Sequence, residues 1–127
     1  MKLTDAEWQI MNALWAKHPA TARDISTRLP RKVGWAYTTV KTMLTRLAEK
    51  NAVKEQKQGN TSIYKPILTL KKARCSALHR VVNQAFDGAF GPLMHFLLEE
   101  QNLSPKQRQE LIQTLQKASN KRRSADD

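Results

Sequence analysis

The sequence predicts a mostly α-helical protein of the α+β class, with one small β-hairpin in its N-terminal half and helices alone in its C-terminal half. Apolar residues recur every three or four positions in several separate stretches, which is the spacing of amphipathic helices. Two strand-like segments on either side of Gly59-Asn60 predict the hairpin. The helices after residue 70 carry more apolar surface than so short a segment can bury within itself.

The first helix is expected to begin just after Thr4 and to end near residue 17. Thr4 is placed to cap the helix, and the Glu7 carboxylate is placed to reach back to the Thr4 amide. Leu3 is placed to pack on Trp8, which adds a hydrophobic staple to this capping box. Pro19 ends the helix because proline disfavours helical geometry in the residue before it.

Two further helices follow. Thr21 starts a short second helix, from Ala22 to about Leu29, which Pro30 stops. Residues 31–35 are expected to form a connecting turn. The third helix runs from about residue 36 to residue 50, and its buried stripe comprises Ala36, Val40, Met43, Leu44 and Leu47.

The opposite face of the third helix is unusually rich in threonine. At 100° per residue, Thr38, Thr42 and Thr45 point away from Val40, with other polar residues beside them. Threonine is a poor helix former, so this composition favours a function over a merely tolerated polar face. A threonine offers a donor, an acceptor and a methyl group, which suit phosphate oxygens and base edges.

A predicted hairpin follows the threonine-rich helix and indicates which fold contains it. Strands at residues 53–58 and 61–67 are joined at Gly59-Asn60, and the tip is polar and basic. Two helices, a threonine-rich helix and a basic hairpin follow one another in the order of a winged helix-turn-helix. In that fold the third helix enters the major groove of DNA, and the hairpin, or wing, lies along the adjacent backbone.

The charge agrees with a polyanionic partner. The chain has 22 Lys and Arg against 11 Asp and Glu, a net charge of +11 and a pI near 10.2. Of these, 12 basic and 5 acidic residues lie before residue 71. The balance favours nucleic acid or an anionic membrane surface about equally, and a basic protein without such a partner is the plain alternative.

The chain is expected to be soluble and cytoplasmic. It has no apolar run of about 18 residues that would span a membrane, and its N-terminus lacks the features of a signal peptide. Its single cysteine, Cys75, excludes an internal disulfide and suits a reducing compartment.

The C-terminal helices are expected to form a homodimer, since interlocking with a second copy would cover their apolar stripes. Folding back on the N-terminal domain is the alternative. Residues 1–70 are thus predicted to form the DNA-binding domain, residues 71–119 the helical dimerisation domain, and residues 120–127 a disordered tail. The predicted dimer contacts are Leu78, Val81, Val82, Phe86, Phe90, Leu93, Met94, Leu97, Leu111 and Leu115.

Two stretches resemble the penicillinase-repressor family, which includes the BlaI, MecI and CopY repressors. LTDAEWQIM at residues 3–11 resembles the opening pattern L-[ST]-x-x-E-x-x-[IV]-M of that family. AYTTVKTMLTRL at residues 36–47 is similar to its recognition helix, T-[VI]-x-T-x-[LI]-x-R-L. Trp15 and Trp35 fall where the family commonly has tryptophan, and the resemblance runs from about Leu3 to Leu115.

The resemblance implies a dimeric repressor of antibiotic- or metal-resistance genes, which binds a palindromic operator built on TACA and TGTA. It implies contacts in the DNA groove from the third helix and phosphate contacts from the wing. The implied groove residues are Thr38, Thr39, Lys41, Thr42 and Arg46. The implied wing residues are Lys57, Asn60, Thr61 and Ser62.

In antibiotic-responsive members of the family, a regulatory protease ends repression by cutting the C-terminal part. The resemblance implies that the matching bond here would be near His95-Phe96, and this chain has histidine where those members have asparagine. The paired Cys-x-Cys motifs of the copper-responsive branch are absent from this sequence. Proteolysis, a metal and redox chemistry all stay open as the signal that relieves repression.

Other functions find less support in the sequence. No paired carboxylates, glycine-rich phosphate loop or nucleophile–base pattern indicates an enzyme, and no cofactor is expected. Cys75 and His79 lie four residues apart, but two ligands do not make a metal site. A winged helix that binds a protein partner without specific DNA binding is the main alternative, against which the threonine-rich face and basic wing argue. A membrane-surface protein would need basic residues flanking one apolar helix face.

Overall fold

The protein is described by a computed structural model over residues 1–100 and 103–126, with the backbone alone described at residues 100, 115 and 118–126. The predicted fold class is confirmed, since helices dominate and one small sheet accompanies them. The chain divides into two compact units, Met1–His79 and Arg80–Asp127, and each is described by itself. This division is later than the domain boundary predicted after residue 70, because the first turns of the fourth helix add Ala73 to the core of the first unit.

The first unit contains three helices, a three-stranded antiparallel sheet and the start of a fourth helix. Its elements in chain order are α1 (Asp5–Ala16), β1 (Ala20–Thr21), α2 (Ala22–Arg28), a 3-10 turn (Arg31–Val33), α3 (Tyr37–Glu49), β2 (Val53–Gln58), β3 (Thr61–Pro66) and α4 (Leu70–Ala85). The strand order is β1-β3-β2, with the hairpin of β2 and β3 forming the wing. Strand β1 was not predicted, because two residues are too short to show an alternating pattern.

The capping box of α1 forms as predicted, and α2 begins at Thr21 as predicted. The Thr4 hydroxyl accepts a hydrogen bond from the Glu7 amide at 3.1 Å, and Glu7 Oε1 accepts one from the Thr4 amide at 2.9 Å. Thr21 and Asp24 make the same reciprocal pair at the start of α2, at 3.0 and 3.1 Å. These boxes fix where α1 and α2 begin.

Two long side chains tie α1 to the rest of the unit at its C-terminal end. The Arg28 guanidinium donates hydrogen bonds to the Ala13 and Lys17 carbonyl oxygens at 3.2 and 2.7 Å, and so satisfies the end of α1 from α2. Trp15 Nε1 donates to the Leu68 carbonyl oxygen at 2.9 Å, which links α1 to the segment before α4.

The other end of α1 is tied to the end of α3. Glu7 is buried at 2% exposure, and its carboxylate accepts a hydrogen bond from Lys50 Nζ at 2.6 Å. The same ammonium donates to the Lys2 carbonyl oxygen at 3.3 Å. Burial acts to raise the pKa of Glu7, but the bonds from Lys50 and Thr4 outweigh it and hold the pKa below its ordinary value.

Helix α3 packs on the core through the predicted stripe, with one correction. Val40, Leu44 and Leu47 are fully buried, and Met43 is half-buried against them. Ala36 is exposed because it is the N-cap residue, whose backbone is extended rather than helical. The opposite face of α3 is therefore free to meet a ligand.

The second unit begins within α4, at Arg80, and continues with helices. Its further elements are α5 (Phe90–His95), a π-helical turn (Phe96–Glu100) and α6 (Pro105–Asp126). Helix α4 ends at a turn in which Gly88 has a φ of 80°, a left-handed conformation that glycine adopts without strain. The rings of Phe86 and Phe96 lie 5.9 Å apart between centroids, within this unit.

Helix α6 starts as predicted and ends later than predicted. The Ser104 hydroxyl accepts from the Gln107 amide, and Gln107 Oε1 accepts from the Ser104 amide, both at 3.1 Å. The helical backbone continues to Asp126, whereas the sequence favoured no regular structure from residue 120. The segment contains no glycine or proline that would stop a helix, which accounts for the extension.

Candidate nucleic-acid interface

The outer face of α3 holds most of the predicted groove residues in one place. Thr38, Thr39, Thr42 and Arg46 are all exposed, and together with Met43 they line a shallow groove of about 280 Å³. The groove is bounded by hydroxyl and methyl groups with one guanidinium, and it contains no carboxylate. Such a surface can accept base edges and donate to guanine or phosphate.

Two threonines of this face have their hydroxyl protons engaged. Thr42 Oγ1 donates to the Thr38 carbonyl oxygen at 2.9 Å, and Thr45 Oγ1 donates to the Lys41 carbonyl oxygen at 3.0 Å. Each hydroxyl therefore presents lone pairs outward, which suits the amino groups of adenine or cytosine. The methyl group of each side chain remains available to contact a thymine methyl.

A second, larger cleft lies beside the first, where α2, α3 and the wing meet. Its volume is about 400 Å³, and it is lined by Thr21, Ala22, Arg23, Tyr37, Lys41, Asn60, Thr61, Ser62 and Tyr64. The structure thus separates Lys41 from the other predicted groove residues and places it with three of the wing residues. Lys57 is exposed on β2 and lines neither of these two clefts.

Arg23 and Tyr37 belong to this cleft and were not predicted as site residues. The Arg23 guanidinium carbon lies 5.6 Å from the centroid of the Tyr37 ring, and Lys41 Nζ lies 5.9 Å from it. Both distances fall within the range of cation–π attraction. The signal available in the sequence was the spacing of Tyr37 and Lys41, four residues apart on one helix, whereas Arg23 comes from another helix.

The wing is polar, but one of its predicted phosphate donors is engaged within the chain. Ser62 Oγ donates to Glu55 Oε1 at 2.7 Å, so its proton points to a carboxylate and not to solvent. Ser62 is also half-buried, while Asn60 and Thr61 are exposed at the tip. The tip residues are therefore better placed than Ser62 to meet a phosphate.

Two other ionisable groups near the cleft have shifted pKa values. Burial, followed by the charge of Glu55, raises the pKa of Tyr64, so its phenol stays a neutral hydrogen-bond donor. The bond from the Thr21 amide holds the pKa of the Asp24 carboxyl below its ordinary value. Asp24 is accordingly ionised at neutral pH and serves as a cap.

The predicted dimer contacts fall into three groups. Leu78, Val81 and Phe90 are between 43% and 49% exposed, which is unusual for large apolar side chains. Val82 and Leu93 were also predicted as dimer contacts. Both are buried within the single chain, so their side chains are not available to a partner in this structure. Phe86, Met94, Leu97 and Leu111 are half-buried, and the side chain of Leu115 lies outside the described residues.

The bond between His95 and Phe96 lies where α5 gives way to the π-helical turn, and both side chains are exposed. Cys75 is likewise exposed on α4. Across residues 1–100 and 103–126, no three His, Cys, Asp or Glu side chains come close enough to hold a metal ion. None of the described helices is long and apolar enough to cross a membrane.

Comparisons with known proteins agree with this geometry. A sequence model of the penicillinase repressor family matches residues 3–117. The methicillin resistance regulatory protein MecI of Staphylococcus aureus is 26% identical over 116 residues, which cover 91% of this chain and 94% of that protein. The penicillinase repressor of Bacillus licheniformis is 25% identical over 122 residues, which cover 96% and 95%. The solution structure of the DNA-binding domain of the repressor BlaI is similar with a TM-score of 0.50 and 27% identity, over 56% of this chain and 87% of that one.

Proposed function

Because the chain belongs to the penicillinase repressor family, a family of transcriptional repressors and not of enzymes, we propose that it represses transcription by binding double-stranded DNA. The outer groove of α3 carries this proposal, since it gathers the exposed side chains of Thr38, Thr39, Thr42 and Arg46, and no carboxylate is among the residues that line it. Helix α3 enters the major groove, and the wing lies along the neighbouring backbone.

Base reading is assigned to the α3 groove. Arg46 is the one cation of this groove, and a guanidinium can donate two parallel bonds to the O6 and N7 atoms of a guanine. Thr42 offers an acceptor and a methyl group, which together suit an adenine or a thymine. This division of roles fits an operator built on TACA and TGTA, which contains all of these bases.

The proposed repressor acts as a homodimer on a palindromic operator. The exposed side chains of Leu78, Val81 and Phe90 support this, because a second copy would remove them from water. A dimer also presents two copies of α3, about one helical turn of DNA apart, to two half-sites. The site of action is the cytoplasm, where the DNA of a bacterium lies.

The regulated genes are proposed to be antibiotic- or metal-resistance genes. This is supported by one relative, MecI of Staphylococcus aureus, which is a methicillin resistance regulatory protein. A regulatory protease is the proposed means of relief, with the bond between His95 and Phe96 as its target. Both side chains are exposed at a junction between two helical geometries, which favours access by a protease.

Fluorescence anisotropy tests the proposal. The full chain is titrated against a TACA/TGTA palindrome and a scrambled duplex of equal length, at two salt concentrations. We expect a preference of about a thousandfold or more for the palindrome, as is typical of specific sites. Weak, equal and strongly salt-dependent binding of both duplexes would contradict specific recognition of this operator and leave a basic DNA-coating protein or a different operator. No binding of either duplex would favour the protein-interaction alternative.

A further inference from the structure

The cleft between α2, α3 and the wing has the composition of an anion site. Its charged groups are the Arg23 guanidinium and the Lys41 ammonium, and no carboxylate is among the residues that line it. The hydroxyls of Thr21, Thr61 and Tyr64 and the amide of Asn60 add neutral donors. A cleft of this kind is suited to a group with several acceptor oxygens and a negative charge.

The acidic residues nearest to the cleft are already engaged. Asp24 Oδ2 accepts a bond from the Thr21 amide at 3.1 Å, and Glu55 Oε1 accepts the Ser62 hydroxyl at 2.7 Å. In the part of the chain that the structure describes, neither Arg23 nor Lys41 forms an ion pair. Their two positive charges are therefore left for a ligand.

Tyr37 holds these two cations near each other. The centroid of its ring lies 5.6 Å from the Arg23 guanidinium carbon and 5.9 Å from Lys41 Nζ, so the ring attracts both cations through cation–π interactions. Like charges gathered at one ring repel each other, and a bound anion would relieve that repulsion. The ring thus sets two cations in place before the ligand arrives.

We propose that this cleft binds a phosphate of the DNA backbone, with Arg23 and Lys41 as its ligands and Tyr37 as the positioning residue. The inference rests on the proposed function, since it assumes that DNA is the partner. It changes the expected role of Lys41 from reading bases to fixing the position of the backbone. Phosphate contacts of this kind set the register of a protein on the duplex and carry no sequence information themselves.

The first test compares Arg23→Gln and Lys41→Gln with wild type on the palindrome and on the scrambled duplex, over a range of salt. Each variant removes one phosphate contact per protomer, so on both duplexes the slope of log K against log salt should fall in magnitude by about 0.9 for each bound protomer, which is about 1.8 for a bound dimer. Relative to 1 M salt, the same relation gives a loss of about eightfold per bound protomer at 0.1 M, or about 60-fold for a bound dimer. Arg108→Gln on α6 is the matched control, because Arg108 is exposed and lies in the other unit.

Tyr37 is tested with a conservative pair. Tyr37→Phe keeps the ring and should bind both duplexes as wild type does, whereas Tyr37→Ala should weaken binding to both with an unchanged melting temperature. A second measurement locates the phosphate, by replacing the phosphates of one half-site in turn with neutral methylphosphonates. At the position of the bound phosphate, the neutral linkage should weaken binding of wild type. The same linkage should not weaken binding of Arg23→Gln any further, because that variant has already lost the contact.

Two results would overturn the inference. One is an unchanged salt slope in both charge variants, and the other is a loss confined to the palindrome, which would assign Lys41 or Arg23 to base reading. The slope can be measured on scrambled DNA even if wild type shows no preference for the palindrome. Failure of sequence recognition and failure of the phosphate cleft are therefore distinguishable.

Discussion

The two units of this chain differ in how completely they bury their apolar side chains. In the first unit, Ile10, Leu14 and Leu44 are fully buried around one centre, and both ends of α1 are tied to neighbouring segments. In the described part of the second unit, Val82 and Leu93 are the large residues that reach comparable burial, while Val81, Phe90 and Phe96 stay between 38% and 49% exposed. The winged helix is thus well packed as a single copy, whereas the helical region leaves apolar side chains exposed, which the proposed dimer would cover.

The largest loss of stability is expected from damage to the core of the first unit. Leu44→Ala removes a fully buried side chain at the centre of α3, and we expect it to destabilise the fold by about 2–5 kcal/mol. Thermal unfolding followed by circular dichroism measures this loss. Thr45→Ala, on the exposed face of the same helix, is the control and should change the melting temperature little.

The second prediction concerns the exposed residues of the helical region. Val81→Asp and Phe90→Asp should each weaken the dimer by about 2 kcal/mol or more, because a charge would be placed in an apolar contact. Sedimentation velocity measures the monomer fraction. Gln84→Asp adds the same charge at an exposed polar position of α4, and it should leave the dimer intact. If both variants sediment as wild type does, these residues are not at a dimer contact.

The third prediction returns to the outer face of α3. Arg46→Ala should weaken binding to the palindrome by about 1–3 kcal/mol and reduce the preference over scrambled DNA. Arg46 also borders the recess of Glu7 and Lys50, so the melting temperature must be measured in parallel. A loss of operator binding without a loss of melting temperature assigns Arg46 to recognition, while unchanged operator affinity shows that the reading face lies elsewhere.

The fourth and smallest effect concerns the bond between Glu7 and Lys50. The pKa of Glu7 is lowered in the folded chain, so its contribution to stability is complete above its ordinary value of 4.5 and is lost as pH falls through the lowered folded value. Lys50→Met should cost about 1–2 kcal/mol at neutral pH, because a charged hydrogen bond is lost from a half-exposed ammonium.

Melting temperatures between pH 7 and pH 3 test this assignment. The difference between wild type and Lys50→Met should narrow as pH falls, because protonation of Glu7 weakens its bond to the Lys50 ammonium. Lys54→Met, at an exposed position of β2, is the control for loss of one positive charge and should follow the wild-type curve. Parallel curves for wild type and Lys50→Met over the whole range would show that the pair contributes nothing through Glu7.

Local features of the fold were predictable because their causes lie within a few residues. The capping boxes of α1 and α2, the wing and the buried stripe of α3 all depend on neighbours in sequence. The bond between Glu7 and Lys50 was not predictable, since its partners are 43 residues apart and neither residue type implies the other. Strand β1 was not predicted for a related reason, because its two residues form a strand only through their pairing with β3.

The sequence allowed the residue types of the candidate site to be predicted, but not its division into the α3 groove and the cleft between α2, α3 and the wing. Helical spacing placed Thr38, Thr42 and Arg46 close together on α3, and in the structure the three side chains line one groove. The same spacing could not separate Lys41 from them, because its long side chain turns toward the Tyr37 ring. Arg23 lies on α2, and only the packing of α2 against α3 brings it into the cleft.

The two faces of α3 have a consequence for how such a regulator can change over evolutionary time. Val40, Leu44 and Leu47 belong to the buried core, whereas Thr38, Thr42 and Arg46 line the exposed groove, so the two sets are made of different residues. If the groove reads bases as proposed, substitutions at Thr38 and Thr42 are expected to alter the target sequence and to leave the folded domain almost as stable as before. A duplicated gene can drift toward a new operator through single changes on the exposed face, and a designer can retarget the protein by the same route.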